Sequence, residues 1–353
     1  MTDSSAPRPA RLHLHTGGTG SAEPRDADAL DLAQDLPLSA DEAAYVEAAR
    51  APNTLRGYRS DWAEFTAWCD RSGRPALPAA GDTISLYLTE LARHGAKVGT
   101  MSRRLSSIKF AHQLRDLPDP TTGARVVAVW EGIRRTHGAP PQQAPPLMFP
   151  ELDDVLAHCA QTRVWKTRPP EPDLAGVRDR ALLLVGFWGA LRRSELAALT
   201  VDQITEHRRG LVLALPWSKT NQRGEESELV VLPYANRRTR CPVTALRAWL
   251  DAGAITSGPV LRKVSKGNRA LDRALHPESI NDLVHAATTR AELAGGPYSA
   301  HSLRAGFVTY GHLRGASDRA IAHQTRHRSL ATLGAYVRTQ TAWEDNAATQ
   351  LGL

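Results

Sequence analysis

Gly138–Pro146 reads GAPPQQAPP, with four prolines in nine residues, and its reading decides the architecture. Proline has no N–H to give a helix, and a Pro-rich segment runs as an extended, semi-stiff spacer. The segment reads as a linker over 138–147 that separates a smaller body, 41–137, from a larger one, 148–338. Length agrees, because 353 residues exceed the roughly 100–200 of a single domain.

On the N-terminal side the apolar residues recur at helical steps. Leu55, Tyr58, Trp62, Phe65 and Trp68 mark a helix that Asn53 or Thr54 caps and Gly73 follows. A second helix starts at Asp82 and carries Ile84, Tyr87, Leu88 and Leu91. A third starts near Thr100, with Leu105, Ile108 and Leu114 on its apolar side and Arg103, Arg104 and Lys109 elsewhere on its surface. A fourth covers Ala124–Arg135. On the C-terminal side, helices are expected over 150–161, 176–199, 242–252, 278–294, 301–314 and 318–325, with a short one over 330–338. Two β-rich runs, Leu211–Trp217 and Glu228–Leu232, flank a polar, Gly-containing turn and read as a hairpin. The fold class is mainly α with a small β-hairpin or sheet (α+β). Residues 1–40 are rich in Ser, Gly, Pro and Asp and read as a mobile tail; 339–353 form a C-terminal tail.

The net charge is +7, but residues 1–40 carry −3, so the rest carries +10. Only six of the 44 basic residues are Lys. Guanidinium grips phosphate oxygens in pairs, so an Arg-heavy body suits a phosphate binder. A GC-rich genome gives the same ratio, so charge points toward nucleic acid without settling it. No run of about 18 apolar residues is present, and the N-terminus lacks an apolar signal core. Cys69, Cys159 and Cys241 are far apart and odd in number, which argues against a disulfide framework. A cytoplasmic chain with no membrane segment is the expectation.

Taken singly, the candidate reactive residues are weak signals. Arg192, in ALRRSEL, follows the very apolar run LLLVGFWGAL; it either caps that helix or reaches into a pocket. Lys219 lies at the hairpin tip, where lysines are usually only solvated. His301 and Arg304, in HSLR, share a helix face by their i,i+3 spacing, and a second such pair occurs at His323/Arg326. His327 and Tyr336 are nine residues apart in RHRSLATLGAY. His13 and His15, in the tail, are too few to make a metal site.

Read in order, the set resembles the tyrosine recombinase (phage integrase) family. ALRRSEL gives Arg192, SKT gives Lys219, HSLR gives His301 and Arg304, and RHRSLATLGAY gives His327 and Tyr336. The pair His323/Arg326 is excluded because it ends only ten residues before Tyr336. NTLRGYRSDWAEFTAWC and GTMSRRLSSIKFAHQL look like the family's helical core-binding domain, so the resemblance runs over residues 45–338. Two departures stand out: Ala190 and Arg326 each occupy a place where glycine is common in relatives. Neither removes a reacting group, though Arg326 bears on how His327 is presented.

The resemblance implies a helical core-binding domain joined to a catalytic domain, and a site-specific recombinase that cuts DNA with Tyr336 through a 3′-phosphotyrosine. It implies that Arg192, Arg304 and His327 bind the phosphate, that Lys219 protonates the leaving oxygen, and that His301 assists at the nucleophile. It further implies no metal, cofactor or ATP. The implied partners are double-stranded DNA, contacted by Arg103, Arg104 and Lys109 on the first body, and other copies of the chain in a tetramer on paired sites. An accessory DNA-bending or directionality protein is a further partner, and the C-terminal tail packs on a neighbouring subunit or on its own domain. The alternative readings are a catalytically silent DNA-binding regulator of the same fold and a topoisomerase-like enzyme. A pure binder needs neither Tyr336 nor Lys219, and the small helical domain and linker favour a recombinase over a topoisomerase.

Overall fold

The computed structural model describes residues 39–140, 144–160, 162–167, 169–216, 228–327 and 351. The chain divides into two compact units, Met1–Pro140 and Pro141–Leu353. It is mainly helical with small antiparallel sheets, the α+β class expected.

The first unit holds α1 (Ala40–Ala48), α2 (Pro52–Arg71), α3 (Gly81–Arg93), α4 (Val98–Gln113) and α5 (Ala124–His137). The expected caps of α2 need correction. Pro52 takes its first position and Ala51 the cap, which places Asn53 and Thr54 inside the first turn. Proline suits that place because the N–H it lacks has no helical partner there. Helix α2 packs on α4 and α3 on α5. Between them Phe65, Trp68 and Tyr87 meet at ring distances of 5.1 to 6.3 Å. His112 is fully buried; it donates from Nδ1 to Ile108 O at 2.8 Å and accepts at Nε2 from Ala79 N–H at 2.9 Å. Both ring nitrogens are thus satisfied by a neutral imidazole, and burial pushes the pKa of His112 down.

The second unit runs α6 (Glu151–Ala157), β1 (Thr162–Arg163), β2 (Glu171–Pro172), α7 (Leu174–Trp188), α8 (Arg193–Ala198), β3 (Ile204–His207), β4 (Gly210–Leu215) and β5 (Glu228–Pro233). It continues with α9 (Pro242–Ala252), β6 (Arg262–Val264), β7 (Ala270–Ala274), α10 (Pro277–Arg290), α11 (Ala300–Leu313) and α12 (Asp318–Thr325). Helix α7 is buried all round, as a helix without a polar face must be, and it packs on α9 and α11. Leu147 is fully buried, and its N–H donates to Ser302 O at 2.9 Å on α11. A Cβ at Gly306 would stand 1.9 Å from Leu147 O, so only glycine lets the chain lie this close against α11.

Two expected elements differ. The single helix over 176–199 is broken: α7 ends at Trp188 and α8 starts at Arg193, with Ala190 between them at φ +44°. The hairpin gains a third strand, giving the antiparallel order β3-β4-β5, in which Leu211 pairs with Leu232 and Leu213 with Val230 on the buried face. Gln324, on α12, donates to the carbonyls of Val231 and Trp188, both at 2.9 Å, and so ties that helix to the edge of the sheet.

Among the described residues no helix is long and apolar enough to cross a membrane. The three cysteines are buried, and none of them forms a disulfide.

Candidate active site

Three of the expected residues, Arg192, Arg304 and His327, come together where α8 begins, α11 passes and α12 ends. Arg304 is buried to 2% exposure in the second turn of α11. A buried guanidinium is costly unless its donors are used. Nη1 donates to Ala190 O at 2.6 Å, and Nη2 donates to Thr325 O and, at 3.3 Å, to His327 Nε2. Both carbonyls belong to left-handed turns, since Ala190 has φ +44° and Arg326, the residue after Thr325, has φ +56°. This conformation costs a non-glycine residue about 1–2 kcal/mol.

Arg192 is the N-cap of α8 and not a residue inside a single helix over 176–199, which corrects its expected setting. Its backbone N–H donates to Glu195 Oε2 at 2.8 Å and its Nη1 to Glu195 Oε1 at 2.5 Å. The Arg192 side chain is 18% exposed and that of Glu195 2%. Arg326 Nη2 donates to the same carboxylate at 2.5 Å, so two arginines share one buried anion.

A guanidinium only donates, so the contact from Arg304 makes His327 Nε2 an acceptor and leaves the ring proton on Nδ1. Nδ1 lies 2.6 Å from Thr325 Oγ1, whose hydroxyl donates to Ile321 O at 2.7 Å. Burial, then the charges of Arg304, Arg192, Arg326 and His301 in that order, push the pKa of His327 down to about 4. This concentration of positive charge around a neutral imidazole favours an anion. His301 is exposed near the start of α11, with its backbone N–H on Ser299 Oγ at 3.3 Å.

Lys219 and Tyr336 lie outside the described residues, as do the hairpin tip, the short helix expected over 330–338, the tail 339–353 apart from Leu351, and His13 and His15. Among the described residues, no group of three or more His, Cys, Asp or Glu is placed to hold a metal ion.

In the first unit, Arg103 and Arg104 are both anchored by carboxylates. Arg103 donates through Nε at 2.7 Å and Nη2 at 2.9 Å to Asp61, which is 1% exposed, while its own side chain stays 55% exposed. Arg104 is only 15% exposed; it donates to Tyr87 Oη at 3.0 Å and to Glu64. Lys109 Nζ is 3.1 Å from Asp119 and half exposed.

Sequence reasoning missed Glu195 and Thr325. The signal for Glu195 is its place three residues after Arg192, where a carboxylate reaches back to the capping N–H. Thr325 carried no signal.

A model of the phage integrase family matches residues 155–342, and a model of the phage integrase N-terminal SAM-like domain matches residues 43–114. An integrase/recombinase XerD homolog of Selenomonas ruminantium is 32% identical over 309 residues, covering 87% of each chain. The tyrosine recombinase XerD of Bradyrhizobium diazoefficiens is 25% identical over 319 residues, covering 89% of this chain and 93% of its own. Among solved structures, the XerH site-specific recombinase in a post-cleavage complex with its difH substrate superposes with a TM-score of 0.61 at 14% identity, covering 88% of this chain and 82% of its own. A lambda integrase dimer bound to a COC′ core site gives 0.54 at 16% identity, covering 84% of this chain and 75% of its own.

Proposed function

Because the chain belongs to the phage integrase family of tyrosine recombinases, we propose that it recombines double-stranded DNA site-specifically, with Tyr336 as nucleophile. The observation that carries the assignment of the site is the convergence of Arg192, Arg304 and His327 on one electropositive spot.

Tyr336 Oη attacks a backbone phosphorus, the P–O5′ bond breaks, and a 3′-phosphotyrosine forms as the 5′-oxygen leaves. Lys219 gives that oxygen its proton, since an alkoxide leaves poorly. His301 helps to receive the proton that Tyr336 loses. The bond energy is kept in the phosphotyrosine, so an incoming 5′-hydroxyl can attack it, release Tyr336 and seal a new strand without ATP.

The transition state spreads negative charge over the non-bridging oxygens. Arg192 and Arg304 answer it, and each such preorganised donor is worth about 2.7–4 kcal/mol. Arg304 needs no reorganisation, because two carbonyls already fix its plane. His327 starts as an acceptor from Arg304; the phosphate's negative charge favours its protonated form, which donates to the same phosphate. The chain's own cations supply the charge stabilisation, and the reading requires neither metal nor cofactor.

DNA is held by both bodies of the chain, 41–137 and 148–338, with Arg103 and Lys109 as phosphate contacts on the first. Arg104, committed to Tyr87 and Glu64, supports that surface more than it contacts DNA. Exchange of two strands from two duplexes requires four protomers, and the C-terminal tail 339–353 supplies a contact between them. An accessory DNA-bending protein is a further partner of such an assembly, which works in the cytoplasm on the nucleoid.

The test expresses wild type and Tyr336→Phe beside the native genomic region, denatures with SDS, and sequences the ends of protein-linked DNA. Adducts in wild type alone, ending at one position, are the expected result. DNA bound specifically with no adduct in either protein would instead favour a regulator that has lost strand transfer.

A further inference from the structure

Arg326 ends α12, and its side chain is 5% exposed inside the second unit. It closes α12 in the left-handed conformation, φ +56° and ψ +44°, so both its backbone and its buried charge are costly to maintain. Its hydrogen bonds and ion pairs show what that arrangement achieves. Nη2 reaches Glu195 Oε2 at 2.5 Å, Nη1 reaches Gln324 O at 3.1 Å and Gly189 O at 3.4 Å, and Nε lies 3.3 Å from Glu228 Oε2. From the end of α12 one side chain thus spans the turn that carries Ala190, the carboxylate that holds Arg192, and the first residue of β5.

Two consequences follow for the phosphate site. Glu195 would by itself pair one-to-one with Arg192 and cancel the charge that guanidinium brings to a phosphate. Sharing the carboxylate between two guanidinium groups divides its hold on Arg192, while Glu228 faces Arg326 from the start of β5. Arg326 also braces Gly189, beside the carbonyl of Ala190, while its own neighbour Thr325 gives the other carbonyl to Arg304. The two walls of the Arg304 cradle are therefore tied together through Arg326.

We infer that Arg326 is a positioning residue for strand cleavage: by sharing Glu195 with Arg192 and bracing the 189–190 turn, it keeps Arg192 and Arg304 aligned for the phosphate. The inference rests on the assignment of those two arginines under the proposed function. A glycine at this place would give α12 the same ending without strain, but it would leave Glu195 to Arg192 alone.

The test uses the full chain and a nicked oligonucleotide duplex carrying the crossover site mapped from the Tyr336 adducts. Arg326→Met keeps the bulk and removes the charge; Arg326→Lys keeps the charge with fewer donors. Arg326→Met is expected to form the covalent adduct at least tenfold more slowly while its DNA affinity changes less than threefold. Arg326→Lys is expected to recover part of the rate, remaining two- to tenfold below wild type. The pH profile adds a second readout, in which Arg326→Lys separates lost charge from loosened packing, since either raises the pKa of His327. The groups facing His327 are Arg304 and His301 from α11, Arg192 at the start of α8, and Arg326 itself. Removing the charge of Arg326 therefore raises the pKa of His327 and extends toward neutral pH the range in which its protonated, donating form is present, and Arg326→Lys leaves that limb of the profile near its wild-type position.

Wild-type adduct rates and an unmoved pH profile in Arg326→Met overturn the inference, and so does a folded Arg326→Lys that is as slow as Arg326→Met. If Arg326→Met does not fold, Arg326→Lys decides: cleavage two- to tenfold slower at nearly unchanged affinity supports the role, and wild-type cleavage overturns it. A wild type that forms no Tyr336-dependent adduct overturns the site assignment as well, which separates that failure from a failure of Arg326 alone.

Discussion

The Arg304 guanidinium donates to the carbonyl of Ala190 at 2.6 Å, and Ala190 holds that carbonyl in place from a left-handed backbone at φ +44°. A residue with a Cβ is strained there, yet the strain is what ends α7 and turns the chain so that Arg192 can cap α8. The same turn supplies one wall of the Arg304 cradle and sets Arg192 at the start of α8.

Ala190→Gly should therefore keep the site intact and relieve the strain. About 1–2 kcal/mol of left-handed cost is removed, offset by about 0.4–1 kcal/mol of extra freedom in the unfolded chain. The net gain is up to about 1.6 kcal/mol, or up to about 3–6 °C in the melting of a unit of this size. Ala190→Val, with a branched Cβ in the left-handed region, should lower the melting temperature and slow adduct formation together. Thermal melts and adduct assays on the two variants check this; a Val variant that melts and cleaves like the wild type would contradict it.

The first unit offers a contrast between neighbouring arginines. Arg103 keeps 55% of its side chain exposed, and Arg104 keeps 15%. Removing one cation that pairs with a DNA phosphate flattens the dependence of log affinity on log salt by about one. Arg103→Ala is expected to do this with a small change in stability. Arg104→Ala should leave the slope nearly unchanged and lower stability, because it strips a partner from Tyr87 and Glu64. Salt titrations of DNA binding beside urea melts separate the two; equal slopes for both variants and the wild type would remove Arg103 from the interface.

Much of this was legible in the sequence. Helices α9 and α12 have the bounds expected of them, Pro242–Ala252 and Asp318–Thr325. The proline at the start of α9 and the capping Ser317 before α12 signal those ends locally. The break between α7 and α8 was not legible, because the apolar run continues through it and nothing in Gly-Ala-Leu-Arg announces a left-handed alanine. Strands β6 and β7 were missed for a different reason: β7 exposes four of its five residues, so it has no alternation to read. The His301–Arg304 spacing correctly placed both residues on one helix, yet they differ in role. Arg304 is sealed in the core and His301 faces solvent. Local sequence does not separate those two fates, because the burial of Arg304 depends on carbonyls 114 and 21 residues away.

The pH dependence of stability has a definite sign. His327 holds its folded pKa at about 4, against 6.5 for an ordinary histidine. Between those values the unfolded chain takes up a proton that the folded site refuses, so stability falls as pH drops from about 6.5 to about 4 and levels off below. His112, whose pKa burial also lowers, adds a slope of the same sign in the first unit. His327→Gln should flatten the acid slope of the second unit and leave that of the first. Urea titrations between pH 4 and 7 on both proteins measure it, and an unchanged slope would mean that His327 titrates normally.

The general acid can be tested by changing the leaving group instead of the protein. Expelling a 5′-alkoxide requires a proton, whereas a 5′-thiolate, from a thiol of pKa about 8.5, leaves without one. If Lys219 supplies that proton, Lys219→Met should cleave ordinary DNA about 10²–10⁴-fold more slowly but cleave a duplex with a bridging 5′-sulfur at close to the wild-type rate. Arg304→Met should stay slow on both substrates, because its task is the charge on the non-bridging oxygens and the sulfur does not relieve it. Equal defects of Lys219→Met on the two duplexes would show that Lys219 binds the phosphate and that the proton comes from another group.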